Sequence, residues 1–182
     1  YAKLLQQMDR RLKNREQTAL YLQLAQNFST TFQKDSAIWA SNMALQLAKR
    51  ADKKWVLINA MQQQAQIYWQ FNLLEQAVQR SIYALQLAEE AQLDHYKLNP
   101  LLLIASISIE VKNYNQGLTY LKLAQELAQS EKDERSQAFT NYLLGRYYLG
   151  THQPDKASAA AGLAYRYFAD IGNQRYQNRA RL

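Results

Sequence analysis

Residue types that break bonds are scarce in this chain and badly placed for it. His95 and His152 are its only histidines, too far apart for the short ligand spacing of a metal site. Cysteine is absent, which removes disulfides, thiolate nucleophiles and zinc fingers. Glu89 and Glu90 read as a solvated face, not as an acid–base pair. No glycine-rich phosphate loop occurs, and serine and aspartate show no nucleophile arrangement. Nothing here calls for a cofactor or a metal, and an enzyme is the weakest reading. What remains is the chemistry of recognition, carried by carboxamides, aromatic rings and a few guanidinium groups. Its geometry depends on the elements that hold those groups.

Those elements repeat. Ala37, Ala77, Gly117 and Ala157 stand 40 positions apart, and Ala44, Ala84, Ala124 and Ala164 follow each of them by seven. Ala25, Ala65, Ala105 and Gly145 precede them by twelve, with Phe28, Tyr68, Ser108 and Tyr148 three residues further on. A period held without drift through four copies marks a solenoid in which each unit packs on its neighbour. Within a unit, two patterns of helical period follow one another. Ile58, Met61, Ala65 and Tyr68 make one face, and Leu74, Ala77, Val78, Ser81, Ile82, Leu85 and Ala88 make a second. Asn72 with Glu75 and Asn113 with Gln116 have the spacing of capping boxes, and Pro154 suits the first turn of a helix. Short turns force such helices antiparallel, and the small columns let their backbones approach. Gly117 reads as a site of close approach or as a merely suboptimal residue. At Asn99-Pro100 the reading is open between a kink and a helix that starts at Pro100 with Asn99 as its cap; the second is preferred.

Charge is uneven along the chain. Residues 1–54 hold ten Lys/Arg against four Asp/Glu, residues 55–134 five against nine, and residues 135–182 seven against two. A nucleic-acid groove would carry a continuous basic stripe. Arg10, Arg11, Lys13 and Arg15, and likewise Lys49, Arg50, Lys53 and Lys54, fit solvated turns and helix ends better, which argues against a nucleic-acid partner. The longest apolar run, Leu101 to Ile109, is nine residues, too short to cross a bilayer. The absence of cysteine fits a cytoplasmic location, with a periplasmic sensor domain as the other option, and no signal peptide begins the chain.

Shifted by 40, Leu4, Leu5 and Met8 fall late in a second helix, and Arg175 to Leu182 fall at the start of a first. The expected organisation is therefore the end of a preceding repeat over 1–15, repeats over 16–52, 53–92, 93–132 and 133–172, and the start of another over 173–182. With no initiator methionine, the chain reads as a piece of a longer array.

The columns resemble the tetratricopeptide repeat. Tyr142-Leu143-Leu144-Gly145-Arg146-Tyr147-Tyr148, followed by Ala157, Ala161 and Ala164, is similar to that family's Leu-Gly-x-x-Tyr and Ala-x-x-x-aromatic-x-x-Ala elements. The departures are a period of 40 where the family has 34, small residues at Ser41, Ser81 and Ala161, and a missing closing proline. This longer form resembles arrays in kinesin light chains and bacterial regulators. The resemblance implies an all-α, right-handed α-solenoid of antiparallel helix pairs whose first helices line a concave groove. It further implies a non-catalytic module binding a protein or peptide, within a larger bacterial signalling or transcription-regulatory protein.

One position around from the core, that groove would be lined by Gln26, Gln62, Gln66, Trp69, Ser106, Tyr142 and Arg146, with Leu22, Ser29, Leu102, Ile109 and Leu149 beside them. Gln26 and Gln66 can pair with a peptide backbone through both halves of the amide. Trp69 and Tyr142 are candidate anchors, and Arg146 suits a carboxylate. Leu22, Gln62, Gln26 and Gln66 occupy the positions where co-chaperone relatives hold carboxylate-clamping lysines and asparagines, so that activity is not implied. The competing reading is a structural spacer or a homodimerisation arm, motivated by Leu102 and Ile109.

Overall fold

The computed structural model describes residues 14–173 together with 178 and 180. Leu4, Leu5, Met8, Arg10, Arg11, Lys13 and most of Arg175 to Leu182 lie outside the described residues. Among those described there are eight α-helices, one 3-10 turn and no strand. The helices are α1 (Asn14–Thr30), α2 (Lys34–Ala48), α3 (Lys54–Gln70), α4 (Leu74–Glu90), α5 (Leu98–Glu110), α6 (Tyr114–Ser130), α7 (Glu134–Gly150) and α8 (Pro154–Asp170), with the 3-10 turn at Asp94–Tyr96.

The turns explain how the helices alternate. Phe32, Asn72, Gln92, Lys112, Lys132, His152 and Gly172 all adopt the left-handed conformation, with φ between 53° and 66°. The residue after each sends its N–H back to a carbonyl five positions earlier, as in Gln33 to Phe28 (2.9 Å), Leu73 to Tyr68 (2.8 Å) and Asn113 to Ser108 (2.8 Å). This is the Schellman closure, which satisfies the last carbonyls of one helix and reverses the chain into the next. The α2–α3 turn departs from it. There α2 ends at Ala48, and Asn14 Nδ2 donates to Arg50 O at 3.0 Å across the turn.

Two sequence readings change here. Asn72 does not cap α4. It is the left-handed residue that ends α3, a conformation asparagine tolerates better than most, and Leu73 precedes α4 without a side-chain cap. Asn113 does cap α6, accepting the Gln116 N–H at 3.4 Å while its own amide donates to Gln116 Oε1 at 3.0 Å. Pro154 opens α8 as expected. Pro100 neither kinks α5 nor starts it. The helix begins at Leu98, so Pro100 falls in the first turn, where its missing N–H leaves no bond unmade.

The chain forms two compact units, residues 1–100 and 101–182. In the first, α1–α2 and α3–α4 are hairpins, and α3 packs against both helices of the preceding hairpin. Leu24, Ala25, Ala37, Ala40 and Ile67 form one core, flanked by Tyr21, Phe28, Ile38 and Phe71. Leu45, Ala48, Val56 and Ala60 form another at the α2–α3 turn. Ala25, Ala37, Ala65 and Ala77 are fully buried, which is what lets each pair of backbones close. In the second unit α7 packs on both α6 and α8. A Cβ added to Gly117 would lie 2.9 Å from Ile109 Cγ1, so this glycine marks close approach of α5 and α6.

Candidate ligand-binding face

The first helices of the two hairpins in unit 1, α1 and α3, lie side by side and are tied together. Ser29 Oγ on α1 donates to Gln70 Oε1 on α3 at 2.5 Å, and Gln70 Nε2 donates back to Ser29 O at 2.9 Å. The core arc of α3 holds Ile58, Gln64, Ala65 and Ile67, all buried. On the opposite arc Gln63, Gln66 and Gln70 are exposed and Asn59 is half-exposed. Their spacing of four, three and four residues is that of a single stripe along a helix. On α1 the exposed residues after Glu16 are Ala19, Gln23, Gln26, Asn27 and Thr30. No charged side chain occurs from Gln17 to Gln33 or from Trp55 to Leu74. Past their first turns, the outward surface of both first helices is therefore neutral and rich in carboxamides.

Four of the expected groove residues fall in this unit. Gln26 and Gln66 are exposed, and Trp69 is half-buried beside Gln66 and Gln70 in sequence. Gln62 is committed elsewhere, since its Nε2 donates to Tyr96 O at 2.6 Å and pins the 3-10 turn. That turn is held further by Tyr96 stacking on Trp55, with ring centroids 6.5 Å apart, while the Arg15 guanidinium lies 5.7 Å from the other ring partner, Trp55. Ser29 is buried in its bond to Gln70 and is not presented outward.

The remaining three fall in unit 2. Ser106 is buried and its hydroxyl donates to Leu102 O at 2.7 Å, a helix-internal bond that spends it. Leu102 and Ile109 are buried too, so neither supplies the exposed apolar surface expected of a dimerisation arm. Tyr142 is only 9% exposed and packs on Phe139 at a centroid distance of 5.7 Å, which makes it a wall residue more than a projecting anchor. Arg146 is half-buried and Leu149 is exposed.

Gln64 is the polar exception in the core. It is fully buried, and its Nε2 donates to Ser41 Oγ at 3.1 Å and Asn42 Oδ1 at 2.7 Å, while Oε1 has no partner. The sequence reading overlooked it, although Leu24, Ile104 and Leu144 at the same repeat position show the site to be apolar elsewhere. It also overlooked Gln23, Gln63 and Asn59, which a search for one residue type at helical spacing would have found. Among the described residues no group of three His, Asp or Glu side chains is placed to hold a metal, and no helix is long and apolar enough to cross a membrane.

No protein-family model and no curated protein matches the sequence. Solved structures do match the fold. Aspartyl phosphate phosphatase F from Bacillus subtilis is similar with a TM-score of 0.80 at 15% identity, over 93% of this chain and 44% of its own. A signal transduction ATPase with numerous domains and a tetratricopeptide repeat sensor, PH0952 from Pyrococcus horikoshii, gives 0.82 at 17%, over 98% of this chain and 28% of its own. BtubC from P. vanneervenii gives 0.71 at 16%, over 91% and 76%. The chain thus spans less than half of the first two proteins. The eight helices of the described residues and these neighbours together define an all-α helical-repeat fold of the tetratricopeptide type. At such identities the likeness is one of fold alone.

Proposed function

We propose that this chain is a non-catalytic protein- or peptide-binding module, the interaction or sensing segment of a larger regulatory protein, working in the cytoplasm. The observation that carries the reading is the pair Gln26 and Gln66, exposed 40 residues apart on adjacent first helices, with Trp69 half-buried close by. Repeat surfaces bind through such positions, and an aromatic ring set among amides supplies contact area at low entropic cost. That the chain spans 44% and 28% of two larger neighbours, one of them described as carrying a repeat sensor, supports its being one segment among others. The repeat boundaries expected from the period belong to this proposal. Binding of candidate partner proteins and peptides should be compared between wild type and a Gln26→Ala, Gln66→Ala, Trp69→Ala variant. Equal binding by both defeats the assignment.

A second reading, a spacer or dimerisation arm, draws on a different observation. Leu123 and Leu163 stand 40 residues apart on the second helices of unit 2 and are 46% and 49% exposed. Light scattering of wild type against Leu123→Ser, Leu163→Ser tests the dimerisation arm. A monomeric wild type rules out the dimerisation arm.

A further inference from the structure

Resting on that reading, we infer that the α1–α3 face selects uncharged peptide segments, held in extended form by side-chain carboxamides, and discriminates against charged ones. The middle of this face lacks charge. Between Gln17 and Gln33, and again between Trp55 and Leu74, there is no side chain able to offset a ligand charge. The charges of unit 1 sit at helix ends and turns, as with Glu16, Lys34, Asp35, Lys54, Glu75, Glu89 and Glu90, and Arg80 is the one placed mid-helix among the described residues. A charged ligand side chain pressed onto these stretches, beyond the first turns that carry Arg15, Glu16 and Lys54, would lose hydration and gain no counter-charge.

What the face holds suits a neutral backbone. Gln63 and Gln66 on α3, with Gln23 and Gln26 at the matching positions on α1, are all exposed. Each carboxamide offers two donors and an acceptor with two lone pairs, the complement of a peptide N–H and C=O. Along a helix, neighbours three residues apart are displaced by about 4.5 Å, and packed helix axes lie about 8–10 Å apart. An extended chain rising about 3.3 Å per residue crosses that gap in about three residues, so one peptide can meet amides on both helices. The Ser29–Gln70 pair fixes the relative positions of the two helices, and the face is therefore set before a ligand arrives.

The test uses the full chain and three pools of nonapeptides, acetylated and amidated so that their termini carry no charge. One pool is built from Ala, Val, Leu, Thr, Ser and Asn; the others carry two Lys or two Glu at internal positions. The neutral pool should be retained about tenfold better than either charged pool, and its retention should change less than about twofold between about 0.05 and 0.5 M salt, since no ion pair is there to be screened. Gln63→Glu, Gln66→Glu on the exposed stripe should lose the neutral pool and gain salt-sensitive retention of the Lys pool. Retention of a charged pool equal to the neutral one, or loss of neutral-pool retention at high salt, overturns this inference and leaves the binding face standing. Neutral-pool retention unchanged in the Gln26→Ala, Gln66→Ala, Trp69→Ala variant overturns the face itself.

Discussion

Replacing Gln64 with leucine should stabilise this protein, although it removes two hydrogen bonds. Gln64 Nε2 donates to Ser41 Oγ at 3.1 Å and to Asn42 Oδ1 at 2.7 Å. Asn42 is exposed, so water replaces the lost donor there, and the Ser41 hydroxyl keeps its own acceptor, Ile38 O, at 2.8 Å. Two neutral hydrogen bonds contribute about 1–3 kcal/mol net. On the other side, Oε1 is buried with no partner, and an orphaned acceptor costs about 1–3 kcal/mol. Burying a leucine side chain contributes a further ~2 kcal/mol. The balance favours Gln64→Leu by about 2 kcal/mol, and with a urea slope of about 2 kcal/mol/M the midpoint should rise by about 1 M. Gln64→Ala removes the orphan but leaves a cavity, and should fall below wild type. Urea titrations followed by far-UV circular dichroism read both. A Gln64→Leu midpoint below that of wild type would refute the reasoning, because it would mean that Oε1 is satisfied by a buried water and that the polar cluster holds α2 to α3.

His152→Gly should raise stability by about 0.5–1 kcal/mol, since histidine there adopts a left-handed φ of 58°; thermal melts check it, and a lower Tm counts against the turn geometry. Gly117→Ala gains helix propensity but drives its Cβ to 2.9 Å from Ile109 Cγ1, for a net loss of about 1 kcal/mol. A double-mutant cycle with Ile109→Ala should show the loss relieved, and strict additivity would deny the contact. Ala77→Leu, at a fully buried seam position, should cost about 1–3 kcal/mol in the same urea assay; a neutral outcome would mean that the seam has room.

The repeat was legible because packing constrains small residues: Ala25, Ala37, Ala65 and Ala77 cannot grow without separating their helices, so the period survives in the sequence. The turns were not. Left-handed φ falls on Phe32, Gln92, Lys112 and Lys132, residue types that carry no turn signal, because the Schellman bonds hold them there whatever the side chain. Column position points to Gln26 and Gln66, which are exposed, and equally to Ser106, Leu102 and Ile109, which are buried. A column gives the angle around a helix, not what covers that angle, and α5 is buried from Leu101 to Ile109. Gln62 was misjudged for another reason, since its partner Tyr96 lies in a 3-10 turn that breaks the helical pattern. The carboxamide stripe of Asn59, Gln63, Gln66 and Gln70 was present in the sequence at helical spacing. It became meaningful once the core arc of α3 was known.

The side-chain amide resonances of glutamine report directly on the proposed face. In a 15N-glutamine-labelled sample titrated with the best-retained neutral nonapeptide, the NH2 pairs of Gln23, Gln26, Gln63 and Gln66 should shift together and saturate at one ligand per chain. Shifts confined to glutamines of the second helices, such as Gln76, Gln79 and Gln86, with those four unmoved, would contradict the account.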